Sequence, residues 1–333
     1  MRVVHFQRFP AGSRHSIERV FATVRNALTE VEVEVCVCPF ESRGVFRRLY
    51  NMVDAALRQG DVNHITGDVH YLAFLLRKNR TALTVHDCGS MVRLGGLRRR
   101  VFQWIWLELP VSRCSVVTVI SENTKRELLR YTSCPENRIR VVPDPVGNEF
   151  RPVPKTFNAN KPTILHLGTG ENKNLDRLTT ALQGMRCKLD IVGPLSPRAK
   201  QTLGRSGIDH EWAAGLSDGE VAAKYRAADL VAFCSTYEGF GMPIIEAQAT
   251  GRPVVTSNIE PMASVAGGAA CLVDPWAPAS IRAGILRVIG DRDYREELVR
   301  LGFENVKRFS AEAVARLYLD VYRELERPTR RPR

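Results

Sequence analysis

No apolar run of about eighteen residues, the length that a membrane-spanning helix requires, occurs in this chain of 333 residues. We therefore expect no membrane-spanning helix. The apolar start at Val3 and Val4 is too short for a secretory signal, and it predicts the first strand of a fold. The eight cysteines are scattered and form no C-x₂-C pair, which predicts reduced thiols in a cytoplasmic protein.

Acidic residues are too few to balance the basic ones, and the formal net charge is +12 at pH 7. Residues 1–155 carry 24 Lys and Arg against 15 Asp and Glu, a net of +9, and residues 156–333 carry the remaining +3. Such a surface attracts phosphates, anionic lipid head groups or nucleic acid. No zinc-finger, RNA-recognition or basic-zipper motif is present, so we expect no nucleic-acid partner.

Metal-ligand spacing is also absent from the His, Asp and Glu residues of the chain. We therefore expect no metal ion and no resident cofactor. An anionic leaving group would then have to be stabilised by a lysine and by the N–H groups at a helix start.

Short β-branched runs alternate with segments of helical periodicity in both halves of the chain. The alternation predicts an α/β fold of two doubly wound domains that face a central cleft. Residues 143–154 are rich in proline and turn residues, so we predict one domain over 1–155 and a second over 156–310. In such sheets, ligands bind outside the carboxyl ends of the strands.

Two carboxylates eight positions apart, Glu238 and Glu246, flank a glycine turn and the start of an apolar helix. A strand-like stretch over 230–234 precedes them, so one glutamate follows a strand and the other lies in the next helix. Carboxylates accept hydrogen bonds from hydroxyl groups, and free N–H groups at a helix start bind electron-rich oxygens. The pattern therefore predicts a polyhydroxylated, phosphorylated ligand such as a nucleotide sugar. The backbone between the carboxylates belongs to Gly239, Phe240 and Gly241.

A glycine-bearing loop follows another predicted strand over 163–167. Its candidate residues are Gly168, Thr169, Lys173 and Asn174. Glycines let the backbone approach a pyrophosphate and the lysine adds a positive charge, which predicts a diphosphate site. A dinucleotide fingerprint starting at Gly168 and Gly170 is the alternative, but Lys173 stands where its third glycine belongs.

Polar residues also follow the strands predicted in the first half of the chain. His86 stands at the end of one strand, and a core histidine bonded to the backbone is its structural alternative. His64 and Asp68 hold a parallel position one strand earlier and are further candidate ligand contacts. The loop after the first strand is predicted to contact phosphate or another ligand, and its candidate residues are Arg8, Gly12 and Arg14.

A cluster of arginines over 98–100 precedes Trp104 and Trp106. Arginines beside tryptophans can lie on an anionic bilayer. Alternatively, Val101 and Ile105 form a core face while the arginines remain in water. Both interpretations are compatible with the sequence.

The stretch from Glu238 to Glu246 resembles the E-x₇-E signature of the family 4 glycosyltransferases, in an EGFGxPxxEA-like segment that is intact here. The resemblance continues through 253–257 and 271–275. It implies a retaining enzyme of the GT-B architecture, which has two Rossmann-like domains. It also implies a donor site in the C-terminal domain, with Glu246 on the ribose hydroxyls and Glu238 on the sugar hydroxyls.

The same resemblance implies that Lys173 binds the donor diphosphate and that His86 lies beside the transferred sugar. It also implies that the acceptor binds the N-terminal domain, and the candidate acceptor contacts are Arg8, Gly12, Arg14, His64 and Asp68. It further implies that a last helix over 311–326 packs on the N-terminal domain. Two positions depart from the family pattern. Thr169 stands where many members carry an arginine, and Asp144-Pro145 replaces Asn-Gly.

The activity that the resemblance implies is retaining transfer of a mannose- or glucose-type hexose. The donor would be a UDP- or GDP-sugar, and the acceptor a hydroxyl of a glycan, a lipid-linked molecule or another envelope component. Two alternatives remain, a nucleotide-sugar 2-epimerase of the same architecture and a non-catalytic sugar-nucleotide-binding protein. The predicted location is the cytoplasm, with peripheral contact to the anionic inner face of the membrane.

Overall fold

The computed structural model describes residues 1–10, 16–89, 91 and 95–326 of the chain. The chain forms two compact units. The N-terminal unit comprises Met1–Pro145 and the segment from Ser310 onwards, and the C-terminal unit comprises Val146–Phe309. The observed boundary precedes the predicted one because the linker bonds to the C-terminal unit. The Val146 N–H donates to the Phe309 carbonyl at 2.8 Å, and the Arg252 guanidinium donates to the Val153 carbonyl at 3.1 Å.

The N-terminal unit contains a six-stranded parallel sheet in the order β2-β1-β3-β4-β5-β6. Its strands are β1 (Arg2–Gln7), β2 (Glu32–Val37), β3 (Val62–Ile65), β4 (Thr81–Val85), β5 (Val116–Val119) and β6 (Ile139–Val141). Its α-helices are α1 (Ser16–Ala27), α2 (Val45–Leu57), α3 (Gly96–Phe102), α4 (Leu109–Ser112), α5 (Glu122–Tyr131) and, at the end of the chain, α13 (Ala311–Glu326). A π-helical segment, Gln103–Glu108, joins α3 to α4.

Strands β3, β4 and β5 are buried along their whole length, as expected for central strands of a parallel sheet that is covered on both faces. Helix α13 packs beside α1 in a cluster that includes Phe21, Tyr318 and Tyr322. The last helix therefore belongs to the N-terminal unit although it follows the C-terminal unit in the chain.

The C-terminal unit contains a second six-stranded parallel sheet, in the order β12-β11-β10-β7-β8-β9. Its strands are β7 (Thr163–Leu167), β8 (Lys188–Val192), β9 (Asp209–Ala213), β10 (Leu230–Phe233), β11 (Val254–Ser257) and β12 (Cys271–Val273). Its α-helices are α6 (Leu175–Leu182), α7 (Pro197–Ser206), α8 (Asp218–Ala227), α9 (Met242–Ala249), α10 (Met262–Ala266), α11 (Pro278–Gly290) and α12 (Arg292–Val306). The predicted pair of doubly wound α/β domains is confirmed.

Local signals fix several helix starts. Ser217 and Glu220 form a capping box at α8, in which the Ser217 N–H donates to the Glu220 carboxylate at 2.7 Å. Ser121 caps α5 by accepting from the Thr124 N–H at 3.0 Å. Over the described part of the chain, no helix has the length and apolar character needed to cross a membrane.

Candidate functional site

The sheet of the C-terminal unit has a topological switch point between β7 and β10. From β7 the chain continues to β8 and β9 on one side, and it then returns to place β10 on the other side. The loops that leave β7 and β10 therefore diverge from neighbouring strand ends. This crevice is where an open α/β sheet binds its ligand. Both sequence segments singled out for donor binding, after β7 and after β10, lie here.

Lys173 and Glu238 form an ion pair in this crevice, with 2.6 Å between Nζ and Oε1. Both side chains are largely buried, and the Lys173 ammonium also lies 4.8 Å from the centre of the Phe233 ring. The Asn172 amide donates to the Tyr237 carbonyl at 2.9 Å and reaches the same Glu238 oxygen at 3.4 Å. The ion pair and these hydrogen bonds therefore connect the loop after β7 to the loop after β10.

Gly168 leaves room for the Lys173 side chain. Its φ of 84° lies in the left-handed region, and a Cβ atom added there would come within 2.8 Å of the Lys173 Cε. Thr169, where many relatives carry arginine, turns its hydroxyl to the Pro194 carbonyl at 2.5 Å. This position therefore adds no second cation beside Lys173.

Asn174 has a positioning role. Its φ is 64°, and no other non-glycine residue of the described ranges has a positive φ. The buried amide donates to the carbonyls of Cys234 and Pro275, at 2.9 and 2.6 Å, and so ties the loop to the ends of β10 and β12. The amide oxygen accepts from Arg177 at 2.9 Å. The side chain is thus hydrogen-bonded within the protein, and its predicted contact with the donor stays a prediction.

Glu246 lies in α9 and is only 5% exposed. Its carboxylate accepts a hydrogen bond of 2.5 Å from the Tyr225 hydroxyl, which comes from the buried face of α8. Phe240 is buried too, with its ring packed edge-on against Phe309. Its side chain therefore supports the loop from within, and only the backbone of the Gly239–Gly241 turn is left as a candidate donor contact. The Tyr225 partner was not predicted, because no sequence pattern links it to Glu246.

His86 follows β4 in the N-terminal unit, and its Nε2–H donates to the Thr66 carbonyl at 2.9 Å. Together with Asp68 and Asp87 it lines a cavity of about 1090 Å³ at the carboxyl ends of β3 and β4. His86 is thus both bonded to the backbone and accessible from a cavity. All the residues that line this cavity belong to the N-terminal unit.

Arg8 lies beside the same strand ends but is held by two carboxylates. It contacts Glu18 at 2.7 and 3.2 Å and Asp68 at 3.3 Å. The hydrogen bond to Glu18 raises the pKa of the Arg8 guanidinium. Glu18 was not predicted at this position. Gly12 and Arg14, also predicted for this loop, lie outside the described residues.

His64 belongs to the core, and its predicted place on an acceptor surface is corrected. The ring is completely buried, with Nδ1 at 2.8 Å from the Tyr322 hydroxyl and Nε2 at 2.7 Å from the Thr84 hydroxyl. Burial lowers the pKa of His64 to about 3, so the ring is neutral. The reason for the error is helix α13, which covers this strand and cannot be inferred from the residues around His64.

The arginine–tryptophan segment divides into packed and exposed parts. Trp106 stacks on His70 and Phe102, whereas Trp104 is 57% exposed. Arg98, Arg99 and Arg100 make no ion pair with any residue that the structure describes. Nor do the described residues contain a group of three or more potential metal ligands.

The arrangement of two parallel α/β units, each with candidate ligand groups at its strand ends, defines the class of two-domain GT-B proteins. Comparison with solved structures agrees. The structure of Anabaena Alr3699/HepE with UDP and glucose matches with a TM-score of 0.79 and 16% identity, over 96% of this chain and 99% of that one. The structure of WaaG, a glycosyltransferase involved in lipopolysaccharide biosynthesis, matches with a TM-score of 0.70 and 14% identity, over 97% of this chain and 99% of that one.

Two family models match complementary parts of the sequence. Glycosyltransferase Family 4 matches residues 18–149, and Glycosyl transferases group 1 matches residues 148–304. The chain belongs to the family 4 glycosyltransferases.

Curated relatives include the O-antigen chain mannosyltransferase B of Escherichia coli, 27% identical over 62% of this chain and 60% of that protein. The D-inositol 3-phosphate glycosyltransferase of Segniliparus rotundus is 41% identical over 59% of this chain and 49% of that protein. The chain therefore spans about half to three fifths of the length of these relatives.

Proposed function

We propose that the protein transfers a hexose from a nucleoside-diphosphate sugar to an acceptor hydroxyl, with retention at the anomeric carbon. The observation that carries the proposal is the Lys173–Glu238 pair at the switch point of the C-terminal sheet, with Glu246 in the adjoining helix. Relatives named as mannosyltransferases favour a hexose, and a related fold that holds UDP-glucose favours a nucleotide-linked donor.

Donor binding would replace the Lys173–Glu238 ion pair by a separate contact of each residue with the donor. The diphosphate carries more negative charge than one carboxylate, so it would draw the Lys173 ammonium away from Glu238. The released Glu238 would then accept hydrogen bonds from the sugar hydroxyls. Glu246 would hold the ribose hydroxyls, with its carboxylate oriented by Tyr225. N–H groups around Gly241, at the start of α9, would add donors for the phosphate oxygens.

The reaction would break the bond between the anomeric carbon and the phosphate oxygen, and form a bond to the acceptor oxygen on the same face. The leaving phosphate would accept the proton of the acceptor hydroxyl, while Lys173 stabilises the charge that develops on that phosphate. His86, from the N-terminal unit, would orient the transferred sugar through the ring nitrogen that does not bond Thr66.

The test is calorimetric titration of the purified protein with UDP, GDP and ADP and with the corresponding hexose conjugates, combined with an assay of donor turnover. We expect one base to bind in preference, and its sugar conjugate to be consumed with net retention when an acceptor is supplied. Activity is expected to survive EDTA. Release of a C2-epimerised sugar without acceptor would indicate the epimerase, and binding without any turnover would indicate a non-catalytic protein.

A further inference from the structure

The cavity in the N-terminal unit has two chemically different walls. One wall is polar and lies at the carboxyl ends of β3 and β4, where Asp68, His86 and Asp87 line it. The other wall comes from α3 and the π-helical segment, and it is mostly apolar. Its main side chains are Leu97, Val101, Phe102 and Ile105. A volume of about 1090 Å³ is more than a single hexose fills.

The aliphatic wall is largely exposed in the part of the chain that the structure describes. Leu97 is 76% exposed, Val101 49% and Ile105 46%. Three aliphatic side chains on consecutive turns, all lining one cavity, are thus exposed to water. A ligand with an apolar portion would remove this surface from water, whereas a purely polar sugar would not.

Two cations also line this cavity without an acidic partner among the described residues, Arg48 and Arg98. The Arg48 Nε donates to the Ser42 carbonyl at 3.1 Å, and its guanidinium lies 5.4 Å from the Trp106 ring centre and 5.9 Å from that of Tyr71. The guanidinium is thereby held in place at the edge of the cavity. A fixed guanidinium is well suited to a phosphate.

The acidic groups of the cavity are already engaged. Asp68 pairs with Arg8 at 3.3 Å, and Asp87 accepts from the Gly89 N–H at 2.7 Å. Arg8 thus neutralises Asp68, and a backbone N–H holds the Asp87 carboxylate. An incoming anion would find Arg48 and Arg98 without an ion-pair partner among the described residues, so the part of the cavity that these two line suits an anionic group.

We propose that this cavity binds the acceptor, and that the acceptor is an anionic amphiphile of the lipid-phosphate class. Its apolar chain would cover Leu97, Val101 and Ile105. Its phosphate would bind Arg48 and Arg98, which would bring an attached hydroxyl toward His86. The assignment as acceptor rests on the proposed transferase function, whereas the binding site itself does not.

The experiment titrates the full chain with three probes by calorimetry, in the absence of vesicles. Dodecyl phosphate, kept below its critical micelle concentration, carries both chain and charge. Glycerol 1-phosphate carries the charge alone, and dodecyl maltoside carries the chain alone. We expect dodecyl phosphate to bind at least about tenfold more tightly than either of the others, because each of them makes only part of the contacts.

Variants locate the site. Val101→Ser with Ile105→Ser should weaken dodecyl phosphate binding by about tenfold, and Arg98→Gln by about threefold to tenfold. Leu317→Ser and Arg316→Gln, on the exposed face of α13 in the same unit, are matched controls that should bind as the wild type does. Leu97→Ser serves as a second wall variant, because so exposed a side chain contributes little to folding.

Equal binding of dodecyl phosphate by the wall variants and by the controls would overturn the proposal. Comparable affinity for glycerol 1-phosphate would overturn it too, since the apolar wall would then contribute nothing. Nucleoside diphosphate binding, measured on the same samples, keeps the two proposals separate. A wild-type protein that binds dodecyl phosphate at this wall but no nucleotide would refute the donor site and leave the amphiphile site standing.

Discussion

The two units treat the charged groups at their strand ends in opposite ways. In the C-terminal unit, Lys173 and Glu238 neutralise each other at 2.6 Å, and Glu246 is buried against Tyr225. In the N-terminal unit, Arg48 and Arg98 line a cavity without any acidic partner from the described residues. In the first site, the lysine already has an ion-pair partner before a ligand binds. In the second site, an anionic ligand would supply the ion-pair partner of the arginines. A ligand of the first site would therefore have to break an ion pair, whereas a ligand of the second site would not.

The two units also differ in how many large apolar side chains they expose to solvent. Most of the large apolar side chains that are exposed belong to the N-terminal unit, and α2 carries several on one face. These are Val45, Phe46, Leu49, Tyr50, Val53 and Leu57. Single exposed apolar residues need no explanation, but a row along one helix face does. The N-terminal unit therefore exposes more large apolar side chains than the C-terminal unit does.

The largest effect should come from Lys173→Ala, which removes the positive member of the ion pair with Glu238. Because charge on the leaving diphosphate grows in the transition state, kcat should fall by about 10²–10³, and nucleoside diphosphate affinity by less. Steady-state kinetics and calorimetry measure the two quantities. Lys307→Ala, which breaks an exposed ion pair with Glu304 in the same unit, is the control. A change in KM alone would reduce Lys173 to a binding residue.

A pH titration should reveal buried histidines in both units, and more of them in the N-terminal unit. Burial lowers the pKa of His64 to about 3 in the N-terminal unit and that of His166 to about 4 in the C-terminal unit. Each neutral ring therefore favours folding above the unfolded-state pKa of about 6.5, and this stability is lost as the pH falls toward the folded-state pKa. Between pH 7 and pH 5, His64 and His166 should each cost their own unit about 2 kcal/mol. Burial also lowers the pKa of His5 and His70, so the N-terminal unit should lose more than the C-terminal unit.

Hydrogen exchange, resolved by peptide and corrected for the intrinsic rate, reports the stability of each unit separately. His166→Leu should flatten the response of the C-terminal unit and leave that of the N-terminal unit unchanged. Equal protection at pH 7 and pH 5 in the wild type would contradict the neutral, buried state of both rings.

Glu246→Gln tests whether the buried carboxylate serves the ligand. Removing the charge weakens hydrogen bonds from two ribose hydroxyls, so donor affinity should fall by about tenfold or more. Tyr225→Phe should give a smaller loss in the same direction, because it removes only the group that orients the carboxylate. Thermal unfolding of both variants provides the control for folding. Unchanged donor affinity in Glu246→Gln would remove this residue from the site.

The residues that follow strands were predictable, because a parallel sheet gathers them at one edge. The sequence therefore placed Lys173 and Glu238 in one crevice. Partners that come from other elements were not predictable. Tyr225 reaches Glu246 from α8, and α13 encloses His64 from the far end of the chain. Such contacts depend on packing between distant segments, which neither periodicity nor spacing records.

Glu238→Gln should affect two ligands in opposite directions. Freed from its partner, Lys173 should bind a nucleoside diphosphate about fivefold more tightly. The nucleotide sugar should lose the extra affinity that its hexose provides, because the amide accepts weaker hydrogen bonds than the carboxylate. Calorimetry with both ligands, beside Glu304→Gln as the matched control, measures the difference. If the affinities for both ligands change in the same direction, Glu238 and the diphosphate do not compete for Lys173.

The smallest effect concerns the surface of the N-terminal unit. Arg98, Arg99 and Arg100 lack ion-pair partners within the described ranges, and Trp104 is exposed beside them. Each arginine near an anionic lipid surface contributes about 1 kcal/mol at most, and the attraction decays within about 8–10 Å at physiological salt. Binding to anionic vesicles should therefore be reversible, measurable at low salt and weak at about 0.5 M NaCl.

Changing these three arginines to serine should reduce vesicle binding. The matched control changes Arg198, Arg292 and Arg300 to serine, which removes the same charge from exposed positions of the C-terminal unit. Because electrostatic attraction to a surface depends on where the charges lie, the control should bind more tightly than the first triple variant. Equal loss in both variants would mean that net charge alone governs binding. The contrast between the two surfaces would then have no consequence at a membrane.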